Sequence, residues 1–282
     1  MKIYRDFDLS GLTTFGIGGK AEEICFPCDV TDVYSAIETD KKITYFGGGS
    51  NVLISDKGIK GRVICMKDQR WGWEVYKKNS ARANFIGVSV PAGMKTARVA
   101  QIVWKNGLSG MEWGVCVPGT IGGAVVMNAS YDKGIKHCIG GVGFVGLSTG
   151  KRKYISKKEM GDWSKSRYTL LQDENWIIVS VGIELKEDNK VNIKKRMMDK
   201  IKKKSKEQPI HEKSAGCVFK DPNFMLDIKP FKIGGAYISE KDQRYICNDG
   251  TATAEDVMRV IGEITEISGQ PRELEIKLLG DF

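Results

Sequence analysis

Histidine and proline are scarce, with two and seven residues in a chain of 282. With only His137 and His211, a metal centre built on imidazoles lacks ligands, and no metal is expected. Long apolar runs are missing too. Trp176–Val181 is among the longest, far short of the ~20 residues a membrane helix needs. The N-terminus, Met1-Lys2-Ile3-Tyr4-Arg5-Asp6-Phe7-Asp8, is charged and lacks the apolar core of a secretory signal. These absences predict a soluble cytoplasmic protein with no membrane insertion. The cysteines number seven, an odd count that disfavours a disulfide framework in a chain of this length. Cys25-Phe26-Pro27-Cys28 is a lone C-x-x-C with no second pair or nearby histidine, and reads as the end of a strand and its turn.

What is present is ordinary globular composition, 41% hydrophobic and 28% charged, which excludes a mostly disordered chain. At about 150 residues per domain, the length suggests two domains. The net charge is +9, and eight of the thirteen residues from Lys194 to Lys206 are Lys or Arg. Such a run reads as a solvated helix face or a local surface for an anionic ligand, and no nucleic-acid partner is expected. The 33 glycines cluster in particular loops.

Ala21–Phe26 predicts a strand and Thr31–Glu38 a short helix with Thr31 as N-cap. Strands follow at Ile43–Phe46 and Arg62–Met66, an α/β alternation. Ala83–Val90 predicts another strand and Lys95–Asn106 a helix ended by Gly107. Gly140–Leu147, Lys153–Ile155 and Trp176–Leu185 predict further strands. A basic helix is expected over about Ile193–Lys206, with a domain boundary near 188. A helix over Ala254–Ser268, capped by Thr253 and ended by Gly269, precedes a last strand at Leu274–Leu279.

Two strand-to-glycine junctions stand out: Tyr45-Phe46-Gly47-Gly48-Gly49-Ser50-Asn51, and Gly114 to Gly123 with Pro118-Gly119-Thr120-Ile121-Gly122-Gly123. Glycine lets backbone N–H groups approach a phosphate closely. Neither loop is G-x-x-x-x-G-K-[ST] or G-x-G-x-x-G. Two such loops in one region suit a ligand carrying a diphosphate; the alternative is a pair of tight turns.

Three further blocks make the pattern specific. Thr13-Thr14-Phe15-Gly16-Ile17-Gly18-Gly19, Gly47 to Leu53, and Gly107-Leu108-Ser109-Gly110-Met111-Glu112 to Met127-Asn128-Ala129 occur in order. Gln208-Pro209, Ser214-Ala215-Gly216-Cys217-Val218-Phe219-Lys220, Ile233-Gly234-Gly235-Ala236 and Glu273-Leu274-Glu275-Ile276 follow. Over nearly its whole length the chain resembles the UDP-N-acetylenolpyruvoylglucosamine reductase (UDP-N-acetylmuramate dehydrogenase) family of peptidoglycan synthesis, in its compact subtype. The resemblance implies an α+β fold. Residues 1–188 would form an FAD-binding region of the vanillyl-alcohol-oxidase (PCMH) type, with subdomains of about 1–66 and 67–188. Residues 189–282 would form a C-terminal α/β substrate-binding domain. It further implies FAD as cofactor, NADPH as hydride donor, a UDP-sugar substrate and a monomer. Gly47, Gly48, Gly49, Ser50 and Asn51, with Pro118, Gly119, Thr120, Gly122 and Gly123, would wrap the FAD diphosphate. Pro91, Ala92 and Gly93, with strand Trp176–Leu185, would line the flavin.

In the family reaction NADPH reduces FAD, reduced flavin gives hydride to the enolpyruvyl carbon, and an acid protonates the neighbouring carbon. By resemblance, Arg167 holds the substrate carboxylate; a guanidinium stays charged and can bind it through two hydrogen bonds. Cys217 stands where the family usually has serine as proton donor, and a thiol ionises more readily than a hydroxyl. Glu275 would assist protonation; Glu273, two residues earlier on the same strand face, is its rival, and the spacing to Gly280 favours Glu275. Asn128, Lys204, Lys206, Lys220 and Asp221 are the expected substrate contacts, with the register within the lysine run open.

The chain departs from the family at several positions. Ser166 precedes Arg167 where a tyrosine is usual. Ser130-Tyr131-Asp132-Lys133 and Lys241-Asp242-Gln243-Arg244-Tyr245 differ from the usual segments. Asp221 replaces an asparagine, and a carboxylate only accepts hydrogen bonds. These departures motivate two alternatives: a flavoprotein of the same fold acting on another substrate, and a non-catalytic UDP-sugar- or flavin-binding paralogue.

Overall fold

A computed structural model describes residues 1–67, 74–76, 85–160, 175–221, 229–269 and 271–282. The first sheet holds β1 (Ile3–Asp8), β2 (Lys20–Cys25), β3 (Ile43–Phe46) and β5 (Ile59–Cys65) in the order β1-β2-β5-β3. β2 and β3 run parallel to β5, and β1 is antiparallel at the edge. Between β2 and β3 lies α1 (Val30–Ile37), whose Val33 and Ala36 are buried. Its N-cap is Asp29 rather than Thr31: the Asp29 carboxylate accepts from Asp32 N at 2.9 Å, so Thr31 already lies in the first turn. β4 (Val52–Ile54) follows the glycine loop.

The second sheet is antiparallel: β6 (Glu74–Tyr76), β7 (Ile86–Pro91), β11 (Ile139–Gly146), β12 (Arg152–Ser156) and β13 (Trp176–Glu187), in the order β12-β11-β13-β7-β6. Between β7 and β11 run α2 (Thr96–Lys105), the short strands β8 (Leu108–Ser109), β9 (Ser130–Tyr131) and β10 (Lys133–Gly134), and α3 (Ile121–Val126). The α2 sequence puts Val99 and Val103 on one face, four residues apart, and both are buried. Gly107 ends the helix at φ +72°.

α4 (Lys190–Glu207) is the basic helix. The boundary expected near 188 falls just before it, but its packing is with the unit that precedes it. Ile193 and Met197 enter the core formed by Val99, Val103, Met111 and the second sheet. Arg196 pairs with Glu112 at 2.7 Å and with Asp188 at 2.5 Å. The lysines that made the run look solvated occupy the other faces.

The third sheet, β14 (Lys213–Cys217), β15 (Lys232–Ile233), β16 (Ala236–Ile238) and β17 (Tyr245–Asn248), is antiparallel in the order β14-β17-β16-β15. It packs on α5 (Ala254–Ser268), whose Val257, Val260, Ile261 and Ile264 are buried. Thr253 and Asp256 form a reciprocal capping box, and Gly269 closes the helix at φ +69°. Of the last expected strand only β18 (Lys277–Leu279) is regular, and it runs parallel to β4. The N-terminal segment crosses the other way: Phe15 and Ile17 enter the third unit's core, and Asn248 Nδ2 donates to Phe15 O at 2.8 Å. Asp56 reaches across to accept from Ala254 N at 2.9 Å and Glu255 N at 3.1 Å. The ends of the chain thereby bolt the first unit to the third, and a cleft remains where all three sheets meet.

Candidate active site

The cleft is a cavity of about 730 Å³. The first sheet contributes Tyr45 and Phe46, the second Trp176 to Ile178, and the third Ala215 to Cys217 and Tyr245. One wall is backbone. Both glycine loops lie on it, and they touch. A Cβ on Gly48 would sit 2.4 Å from Gly119 Cα; one on Gly47 would sit 2.3 Å from Thr120 Oγ1. The glycines therefore let the two loops close on each other. Among the described residues, the backbone N–H groups of Gly48, Gly49, Ser50 and Asn51 donate to no other protein group. Four successive open amides on a cavity wall are a surface for an anion. The second loop differs: Ile121 N donates to Met94 O, Gly122 N to Ala92 O and Gly123 N to Thr120 Oγ1. It supplies closeness, and its helix amides are already spent within the protein.

Two side chains lash the first loop to the third unit. Asn51 Nδ2 donates to Glu275 O at 2.9 Å, and Asn51 O accepts from Lys277 N at 3.0 Å. Thr14 N donates to Gly49 O, and Thr14 Oγ1 donates to Ser214 O at 2.7 Å. Asn51 is a structural tie between the expected cofactor loop and an expected catalytic residue. The Thr13-Thr14-Phe15-Gly16 motif has a comparable role.

Another part of the wall is side chains. β14 pairs Ser214 with Cys247 and Cys217 with Tyr245, so it carries one extra residue between them. Gly216, at φ +81°, takes up that residue as a bulge. Beyond it, Val218 N donates to Arg244 O at 2.9 Å, and Glu275 N donates to Val218 O at 2.7 Å. Three segments distant in sequence thus lie side by side, with Arg244, Cys217 and Glu275 all on the cavity. Arg244 is gripped by Asp242 through two bonds, Nε to Oδ1 at 2.8 Å and Nη2 to Oδ2 at 2.7 Å. That grip holds the guanidinium firmly protonated. Burial, then the neighbouring Cys217, pushes the Tyr245 hydroxyl well above the usual range.

Lys204 projects from α4 to the cavity, where its Nζ donates to the Cys116 carbonyl. Burial pushes its ammonium below lysine's ordinary range, which leaves a poorly hydrated cation facing the cleft. Lys206 is exposed and does not line the cavity, so of these two lysines only Lys204 reaches the cleft. Lys220 also lines the wall and pairs with Glu273, which is exposed. Glu275 rather than Glu273 faces the cavity.

Asn128 lines the cavity with its backbone left-handed at φ 44°. Asp221 does not: it is exposed and accepts from Arg272 Nη1 at 3.1 Å, so its charge is directed away from the cleft. Of Pro91, Ala92 and Gly93, only Ala92 lines the cavity; the other two are buried behind it. Ser50, Pro118 and Thr120 line it, while Gly119 lies behind the Ser50 hydroxyl. Arg167 lies outside the described residues. Sequence reading missed Tyr131, Cys116, Arg244 and Tyr245 as lining residues. For the last two a signal existed, in the departure at Lys241 to Tyr245.

The profile of the UDP-N-acetylenolpyruvoylglucosamine reductase C-terminal domain matches residues 208–270, and that of an FAD binding domain matches residues 27–151. A UDP-N-acetylenolpyruvoylglucosamine reductase of Prochlorococcus marinus is 35% identical over 276 residues, covering 93% of this chain and 91% of its own. The chain belongs to the UDP-N-acetylenolpyruvoylglucosamine reductase family. A second such reductase, from Caldanaerobacter subterraneus subsp. tengcongensis, is 30% identical over 99% of this chain and 94% of its own. The crystal structure of the enzyme from Thermus caldophilus superposes with a TM-score of 0.81 at 28% identity, over 99% of this chain and 100% of that one. Members of this reductase family are FAD-containing oxidoreductases of peptidoglycan precursor synthesis, and NADPH is their reductant. Among the described residues, no helix is long and apolar enough to cross a membrane.

The residues present fit FAD. The open amides from Gly48 to Asn51 suit a diphosphate. Trp176 to Ile178 and Ala92 provide a largely apolar face for a flat ring, and 730 Å³ is of the size of cofactor sites.

Proposed function

We propose that the chain reduces the enolpyruvyl ether of UDP-N-acetylglucosamine to UDP-N-acetylmuramate with NADPH as reductant. FAD, held along Gly48 to Asn51 and against Ala92 and Trp176 to Ile178, supplies the two-electron relay between the two substrates. The observation that supports this reading most is the convergence of Cys217 and Glu275 on the same cavity as those loops. Cys217 holds the proton that passes to the substrate carbon next to the one reduced. Glu275 lies on the segment hydrogen-bonded to Val218, the residue after Cys217, and its proposed role is to polarise the developing enolate. Arg167 is the proposed partner of the substrate carboxylate, where negative charge grows during the reaction. Lys204, short of water and facing the cavity, is the proposed diphosphate contact, with Lys220 as a second cation. The outward pairing of Asp221 with Arg272 weakens the argument for a different substrate, because that carboxylate adds no charge to the cleft.

The test is an anaerobic time course of visible flavin absorbance, with NADPH added first and the enolpyruvyl UDP-sugar second. Bleaching followed by recovery on adding the sugar is expected. Bleaching without recovery would move the search to another acceptor, and no flavin signal after adding FAD would remove the enzymatic reading.

A further inference from the structure

Cys217 lies beside two groups that its reading as a proton donor leaves without a role. Tyr245 is its partner across the β14–β17 ladder, and Arg244, one residue earlier, lines the same cavity. The Arg244 carbonyl accepts from Val218, the residue after Cys217, so the backbones of 244 and 217–218 are locked one strand apart. The guanidinium has little freedom. Asp242 holds Nε at 2.8 Å and Nη2 at 2.7 Å, and its carboxylate is itself nearly buried, 9% exposed. A clamp formed within three residues of chain fixes a cation at the start of β17, the strand paired with the one that presents the thiol.

We propose that Arg244, clamped by Asp242, is a positioning residue that stabilises the negative charge on Cys217 sulfur when the thiol gives up its proton. This deepens, and rests on, the reading of Cys217 as the donor. In the step concerned, the S–H bond breaks, its proton forms the new C–H bond at the substrate carbon, and the electron pair stays on sulfur as thiolate. A solvent proton restores the thiol before the next turnover. A serine donor would leave an alkoxide at this point, which needs more stabilisation than a thiolate. A thiol beside a fixed guanidinium is therefore a self-consistent pair of departures at 217 and 244. Asp242 carries the opposite charge and so opposes the effect partly, while Cys217 lies near enough to Arg244 for the sulfur's charge to favour the protonated guanidinium. The other charged groups around the thiol are Lys204 from α4, Lys220 and Glu275 from the flanking segments, and the Tyr245 hydroxyl. All four are left in place by the test.

The test is the pH dependence of iodoacetamide alkylation of the FAD-loaded full-length chain, followed at Cys217 by mass spectrometry. Cys28, exposed and distant in the fold, serves as the internal reference. Arg244→Gln is expected to raise the Cys217 midpoint by about one pH unit, so that alkylation near neutral pH slows roughly tenfold. Asp242→Asn, which removes the opposing charge and keeps the cation, is expected to lower it. Arg244→Lys should recover most of the wild-type midpoint if charge is what matters. Shifts of opposite sign in the first two variants support the proposal. No shift, or shifts of the same sign, would overturn it, because loosening the strand end would disturb both variants alike. If Arg244→Gln does not fold, the Asp242→Asn and Arg244→Lys midpoints decide the matter by the same signs. Failure of the donor reading shows separately, as unchanged flavin recovery in Cys217→Ala.

Discussion

The two walls of the cavity are made of different material. On the loop wall, Gly48 abuts Gly119 backbone to backbone, and the open surface is a row of amides. On the other wall, Cys217, Arg244, Tyr245, Lys204 and Glu275 present side chains positioned by strands, their flanking segments and a helix. Where the loops touch, at Gly48, that contact can be kept only by keeping glycine, because a Cβ there meets the Gly119 backbone. A side-chain surface can exchange one protic or charged group for another while the ladder beneath it stays the same. The departures from the family pattern at Cys217, Arg244 and Tyr245 fall on the second kind of wall, beside matched residues such as Ala215, Gly216, Lys220 and Glu275.

The sharpest way to break this contrast is at Cys217. Cys217→Ala removes the proton and is expected to slow flavin reoxidation by the UDP-sugar about 10²- to 10⁴-fold while NADPH-driven bleaching keeps its rate. Cys217→Ser should retain part of the second half-reaction. Stopped-flow absorbance separates the two phases, and equal recovery in all three proteins would refute the assignment. On the loop wall, Gly48→Val has no protic role to lose, yet it forces two backbones apart. Overpacking of this kind costs about 1–3 kcal/mol, so FAD retention should weaken by roughly 5- to 150-fold, read by flavin fluorescence on dilution. Both half-reactions should then fall together once FAD dissociates.

Lys204 and Lys206 sharpen the comparison within one helix. Lys204→Met should raise the KM for the UDP-sugar by roughly tenfold or more, as loss of a charge-assisted contact does, and Lys206→Met should leave it near wild type. Similar KM values in the two variants would remove α4 from the site.

A last effect, on stability rather than on turnover, lies behind the wall, where Arg196 anchors α4 to Glu112 and Asp188. Burial pushes the Glu112 carboxyl up, but Arg196, Ser109 and the Gly110 amide together hold it below its ordinary value. A lowered folded pKa means stability that is fully present above the unfolded value and lost as pH falls through the folded one. The melting temperature should therefore hold from neutral pH down to about 4.5 and fall below it. Arg196→Met leaves Glu112 buried without its cation and should cost roughly 2 kcal/mol at neutral pH, between the values for exposed and buried pairs. In that variant burial dominates, the pKa rises, and acidification from pH 7 should recover stability instead of removing it. Thermal melts across pH distinguish the two slopes.

How much of this was legible in the sequence follows the same division. Glycine loops, caps and periodic helices are local signals, so Gly47 to Asn51 and α5 with Thr253 and Gly269 were readable directly. The α1 cap was misplaced because Asp29 and Thr31 are both good caps, and only the backbone at 29 decides between them. The middle-unit allegiance of α4 was hidden by its charge, since just two residues, Ile193 and Met197, carry its packing. Asn51 reads as a cofactor residue from its neighbours; that its side chain also holds Glu275 O depends on a contact between distant parts of the chain. Arg244 looked like a simple departure until strand register set Tyr245 opposite Cys217 and the Arg244 carbonyl opposite Val218.

The claim on which the rest depends is that both walls face one cavity, so that the sugar lies against the flavin. The most direct measurement is a titration of the oxidised, FAD-loaded protein with the enolpyruvyl UDP-sugar in the absence of NADPH, followed in the visible flavin band and, in parallel, by calorimetry. The account predicts a saturable change in the band with the same midpoint as the heat, weakened in Lys204→Met. Heat of binding with no change in the flavin spectrum would place the sugar elsewhere and contradict it.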